Sequence, residues 1–136
     1  MIISIYKNQI FTEKCENGKE CIEKIEEKRT CKCKVCNTNY YKLIILDVLM
    51  PVMDGIQAVK TIQEMIDTQK INQETNVVLL SAHIDDNLIT TLANIKCIKE
   101  FIKKPVKKEK IKNLIDTYCI GNSSDLLFNS HNSLKI

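Results

Sequence analysis

The sequence predicts an α/β domain built around a mostly parallel sheet. Three short apolar runs carry that expectation, each leading into polar residues. Leu43-Ile44-Ile45-Leu46 leads into Asp47, Val77-Val78-Leu79-Leu80 into Ser81, and Phe101-Ile102 into Lys103-Lys104-Pro105. The first two runs lack polar alternation, which suits strands buried on both faces. Helical spacings separate the runs, and strands alternating with helices build parallel sheets.

Taken in order, a strand is expected around Ile10 to Cys15, and a helix after Asn17-Gly18, marked by Cys21, Ile22 and Ile25. The run ending at Asp47 is the next strand. Ile56, Val59, Ile62 and Ile66 recur at helical spacing after the turn Met53-Asp54-Gly55. The run ending at Ser81 follows. Leu88, Ile89, Leu92, Ala93 and Ile95 then mark a helix behind Asp85-Asp86, an acidic start that suits a helix N-terminus. After Pro105, Ile111, Leu114, Ile115 and Tyr118 mark the last helix. Two segments fall outside the pattern. Residues 28–40 are polar and Cys-rich and read as a loop insertion, and residues 121–136 read as a flexible tail. Residues 1–120 are the expected domain.

A chain of 136 residues suits one domain, and an apolar content of 44% can fill a core. The net charge of +3 comes from well-mixed charges, without the clustered basic face of a nucleic-acid binder. No run reaches the ~18 apolar residues of a membrane helix, and Met1 to Tyr6 lacks the basic and apolar regions of a signal peptide. A cytoplasmic setting is the expectation. Seven cysteines are present; in that setting they stay thiols. Cys15, Cys21, Cys97 and Cys119 are expected to pack as small apolar residues. Cys31, Cys33 and Cys36 are clustered and could bind Zn²⁺ as thiolates, although no fourth ligand is evident.

In open parallel sheets, ligands bind beyond the carboxyl ends of the strands. The residues there are Asp47, Ser81 and Lys104. A carboxylate can attack a phosphoryl group and become an acyl phosphate. A hydroxyl can hydrogen-bond the transferred oxygens, and an ammonium can neutralise their charge. An enzyme of the flavodoxin type fits less well: its phosphate loop needs Ser/Thr/Gly-rich sequence, and the chain has three glycines.

The stretch from Leu43 through Asp47-Val48-Leu49-Met50-Pro51-Val52-Met53-Asp54-Gly55 resembles the phosphoacceptor block of response-regulator receiver domains. Val78-Leu79-Leu80-Ser81-Ala82 resembles the fourth strand of that family, and Phe101-Ile102-Lys103-Lys104-Pro105 the fifth. The likeness runs from about Ile10 to Tyr118. It implies a flavodoxin-like (CheY-like) three-layer fold with strand order 2-1-3-4-5. It also implies a non-enzymatic module of a two-component phosphorelay, phosphorylated by a histidine kinase or histidine phosphotransfer protein. Asp47 would be the phosphoacceptor. Ser81 would bind the phosphoryl group, and its small neighbour Ala82 would leave room. Lys104 would pair with the phosphoryl or with Asp47, and Phe101 would be the aromatic switch. Pro105 would follow a cis peptide bond, the backbone carbonyl of Leu49 would ligate Mg²⁺ together with Asp47, and Gly55 would permit the tight entry into the next helix.

One family feature is missing. The first strand of these domains ends in two adjacent acids that hold Mg²⁺, and here the first acid is Glu13, alone. A parallel strand and its crossover need a dozen or more residues, and about nine precede Ile10. Met1 to Asn8 is therefore expected to be the tail of a helix, leaving about four strands with the first absent, in a fragment or truncated product. The competing assignment makes Ile2 to Tyr6 the first strand. Without the acidic pair, the alternative function is a receiver-like interaction module that is not phosphorylated.

Overall fold

The computed structural model describes residues 2–6, 9–30 and 40–120, with side chains from 12–30 and 40–119. Five strands and four α-helices follow one another as β1 (Ile2–Tyr6), β2 (Gln9–Glu13), α1 (Gly18–Arg29), β3 (Leu43–Asp47), α2 (Gly55–Asp67), β4 (Asn76–Ser81), α3 (Asp86–Thr91), β5 (Ile98–Lys103) and α4 (Lys108–Ile115). A π-helical turn, Asp116–Ile120, extends α4. The sheet order is β2-β1-β3-β4-β5. Strands β3, β4 and β5 are parallel, whereas β1 is antiparallel to both of its neighbours. The fold is the flavodoxin-like α/β architecture expected from the alternation of elements.

The uniformly apolar runs are explained by two cores. Ile44, Leu46, Val77 and Leu79 point to one face of the sheet, against Cys21 and Ile25 of α1 and Ala58, Val59, Ile62 and Met65 of α2. Leu43, Ile45, Val78 and Ile102 point to the other, against Ile111, Leu114 and Ile115 of α4 and Cys119. Successive strand residues face opposite ways, so a strand covered on both sides has no solvent-facing position for a polar residue.

The N-terminal expectation is corrected. Residues 2–6 form a strand, not the tail of a helix, and the sheet has five strands, not about four. The dozen-residue requirement holds for a parallel crossover. An antiparallel partner needs only a tight turn, and two residues separate β1 from β2. Isoleucine and tyrosine suit the pleated surface, and β1 fills the sheet position between β2 and β3. It begins level with Ile44 and runs away from Asp47. Helix α1 also reaches Arg29, two residues into the segment expected to be loop. The three clustered cysteines at 31, 33 and 36 and the expected tail at 121–136 lie outside the described residues. Among the described residues no helix is long and apolar enough to cross a membrane.

Candidate functional site

The parallel run of β3, β4 and β5 brings their carboxyl ends to one edge. Asp47 closes β3, Ser81 closes β4, and Lys104 follows the last residue of β5. The ladder continues one residue further: Val48 N–H donates to the Leu80 carbonyl at 2.8 Å, and Lys104 N–H donates to the Ser81 carbonyl at 2.9 Å. Backbone bonds therefore fix Asp47 and Lys104 on either side of β4. Two strand spacings separate β3 from β5, about 10 Å, and the long lysine side chain bridges them. Its Nζ pairs with Asp47 Oδ2. Asp47 Oδ1 accepts from the Leu49 N–H at 3.1 Å.

The Lys104 and Asp47 side chains are 40% and 30% exposed. A pair this wet contributes little to stability, so its importance is chemical: it sets a cation against a carboxylate that solvent and a partner can reach. Ser81 is buried, and its hydroxyl is turned into its own loop. It donates to the His83 carbonyl at 2.7 Å and accepts from the His83 N–H at 3.2 Å. Ala82 is exposed, Phe101 is half-buried against the larger core, and the Lys104–Pro105 bond is cis. The edge thus gathers Asp47, Ser81 and Lys104, with the Ser81 hydroxyl turned into its own loop, while Phe101 sits further back in β5, level with Leu79.

The loop after Asp47 is shaped by close approach. Gly55 N–H donates to the Val48 carbonyl at 3.0 Å, and a Cβ on Gly55 would stand 2.3 Å from the Asp47 carbonyl oxygen. Only glycine fits there. Val52 adopts φ 66°, an uncommon conformation for a β-branched residue. Asp54 caps α2 by accepting from the Gln57 N–H at 2.8 Å.

Three contacts were not anticipated. Gly18 N–H donates to the Met53 carbonyl at 2.9 Å, so α1 is tied to the loop after Asp47. His83 Nε2 stands 3.4 Å from Asp85 Oδ2. The Tyr41 hydroxyl donates to Glu13, and burial together with that carboxylate holds the phenol above its ordinary range. Asn17-Gly18 was the available signal for the first; the other two depend on register and turn geometry.

Mg²⁺ takes hard oxygen ligands in a near-ideal octahedron. Among the described residues no three His, Cys, Asp or Glu side chains gather to hold a metal ion. Asp47 already faces Lys104, and Glu13 is engaged with Tyr41. The donor set among the described residues does not fit a protein-held Mg²⁺.

The family model for the response regulator receiver domain matches residues 2–116. Over 126 residues the chain is 27% identical to the osmosensing histidine protein kinase SLN1 of Saccharomyces cerevisiae, covering 85% of this chain and 9% of that protein. It is 33% identical over 102 residues to the probable C4-dicarboxylate response regulator DctR of Bacillus subtilis, covering 75% and 37%. This chain therefore spans a minor part of each relative. A crystal structure of the receiver domain of a histidine kinase from Syntrophus aciditrophicus superposes with a TM-score of 0.59 at 23% identity, over 93% of this chain and 80% of that one. The strand order, the residues at the carboxyl edge and the extent of the family match lead to one conclusion: this chain belongs to the response regulator receiver domain family of two-component systems.

Proposed function

We propose that the chain is the phosphoacceptor module of a His-Asp phosphorelay and that Asp47 carries the phosphoryl group. The observation that carries this reading is the Asp47–Lys104 pair at the carboxyl edge, a nucleophile and a cation brought together from the two strands that flank β4. The donor is a phosphohistidine of a histidine kinase or phosphotransfer protein. An Asp47 carboxylate oxygen attacks phosphorus, the P–N bond breaks, and its electron pair returns to the imidazole, which takes a proton from solvent. The product on this chain is an acyl phosphate.

The remaining residues act around that step. Lys104 transfers its ion pair from the carboxylate to the phosphoryl oxygens, where positive charge stabilises the transition state. The Ser81 hydroxyl leaves the His83 carbonyl and bonds the phosphoryl group, with the small side chain of Ala82 allowing the shift. Phe101, already packed at the edge of the core, turns inward as Ser81 moves. The module regulates a partner and is not itself an enzyme.

A second reading has its own support. The Lys104 ammonium already pairs with Asp47, and no three metal-ligating side chains gather among the described residues. An interaction module that keeps the fold without taking phosphate would have this arrangement. Acetyl phosphate followed by intact mass measurement separates the two. A single phosphate adduct that Asp47→Asn abolishes supports phosphorylation; folded protein that gains no adduct supports the interaction module.

A further inference from the structure

We propose that Gly18, at the start of α1, is a positioning residue for Asp47: its amide, and its lack of a side chain, hold the loop after Asp47 in the conformation that presents the carboxylate. This role rests on Asp47 being the phosphoacceptor.

The loop between Asp47 and α2 is anchored near both ends. Val48 N–H donates to the Leu80 carbonyl at 2.8 Å, and the Val48 carbonyl accepts from the Gly55 N–H at 3.0 Å. Further along, the Met53 carbonyl accepts from the Gly18 N–H at 2.9 Å. Between these anchors the backbone is strained. Met53 N–H donates to the Pro51 carbonyl at 2.7 Å and closes a three-residue turn around Val52, whose φ is 66°. A turn of this kind with positive φ is rare and strained, and a β-branched residue suits it poorly. Strained backbone persists only where its surroundings over-determine it. The Val52 side chain is 80% exposed, so side-chain packing does not hold the turn. The backbone anchors hold it, and the one at Met53 is adjacent to Val52.

Gly18 is built for that anchor. It is the first residue of α1, so its N–H has no acceptor within the helix. The helix start is fixed independently: Glu20 N–H donates to Asn17 Oδ1 at 2.9 Å, and Glu16 N–H donates to Glu20 Oε2 at 2.7 Å. A Cβ on Gly18 would stand 2.7 Å from the Met53 carbonyl oxygen and 2.9 Å from Met53 Cγ. Any side chain there pushes the Met53 backbone away. The push reaches the strained turn at the next residue and then Leu49, whose N–H holds Asp47 Oδ1 at 3.1 Å. Loss of that bond lets the carboxylate rotate out of line for attack, and phosphoryl transfer depends on such alignment.

The full chain, incubated with acetyl phosphate and weighed intact, gives the first test. Gly18→Ala should slow labelling at least about tenfold. Ile25→Val, a core truncation in the same helix, should leave labelling within about twofold although it also lowers the urea midpoint. Labelling that falls in both variants in proportion to their urea midpoints makes Gly18 merely structural and overturns the proposal. Labelling that survives Gly18→Ala unchanged overturns it alone, whereas an unsubstituted chain that takes no phosphate removes the phosphoacceptor reading and this proposal with it. A second test needs neither phosphate nor a folded Gly18→Ala. Val52→Pro fixes φ at about −65°, the opposite sign, at an exposed side chain. The Gly18 amide should then exchange with deuterium at least about tenfold faster, while the amide of Ile62 in α2 keeps its rate. Unchanged protection of Gly18 in Val52→Pro breaks the link between the helix start and the turn and overturns the proposal.

Discussion

Asp47 and Lys104 hold each other's charge in a solvent-reachable pair, so replacing either should change chemistry far more than folding. Lys104→Ala is expected to slow acetyl phosphate labelling about a hundredfold while shifting stability by less than about 1 kcal/mol. Labelling rates and urea melts on the same preparation check both halves, and a melt that collapses would make Lys104 structural. These positions were legible because the apolar runs mark where strands end, and a strand end in a parallel sheet is a ligand site. The orientation of Ser81 was not legible. Its hydroxyl answers to the backbone of His83, and that turn depends on no pattern the residues Ala82-His83 display. The donor set around Asp47 leads to a further expectation: chelating Mg²⁺ should alter labelling by less than about threefold, since among the described residues no three His, Cys, Asp or Glu side chains gather to hold a metal ion. A much larger loss on adding a chelator would point to ligands elsewhere in the chain.

At the scale of single elements, α2 shows how a helix start serves the edge. Asp54→Ala removes the acceptor for the Gln57 N–H and should cost about 1 kcal/mol. Gly55→Ala, one residue on, should be far worse. Its Cβ would collide with the Asp47 carbonyl, so the loss should reach about 3 kcal/mol, and labelling should fall with it as the backbone moves. Equal melting curves for the two variants would refute this ordering. The helix α2 itself was legible from Ile56, Val59 and Ile62. Strand β1 was read the wrong way, and the cause is specific. The residue count ruled out a parallel strand with its crossover, and an antiparallel hairpin escapes that count. Nothing in Ile2 to Tyr6 states which direction a strand will pair, since antiparallel and parallel ladders use the same β-branched residues.

The whole molecule is a sheet with an apolar layer on each face, and its ionisable groups record that burial. Burial pushes Cys97 and Cys119 up to about 12, and Tyr41 is raised above its ordinary range by burial and Glu13. In the unfolded chain thiols titrate near 9.0 and phenols near 10.0. The folded state therefore keeps protons that the unfolded state gives up. Their contribution to stability is complete below pH 9 and declines as pH rises toward about 12, at roughly 1.4 kcal/mol per pH unit for each group within its window. Urea midpoints measured under reductant at pH 8 and pH 10.5 should differ in that direction. Tyr41→Phe should flatten the slope, and an unchanged slope would remove Tyr41 from this account.

The pairing of β1 adds a kinetic signature. This strand meets β2 along its full length but meets β3 at Ile2–Ile44 and Ile3–Leu43, the shortest ladder in the sheet. A hairpin joined to the rest by so short a seam should open as a unit while β3, β4 and β5 stay closed. In deuterated buffer, the amides of Gln9–Glu13 should therefore exchange well before those of Val77–Leu80, with the protection boundary falling between the second and third strands of the chain.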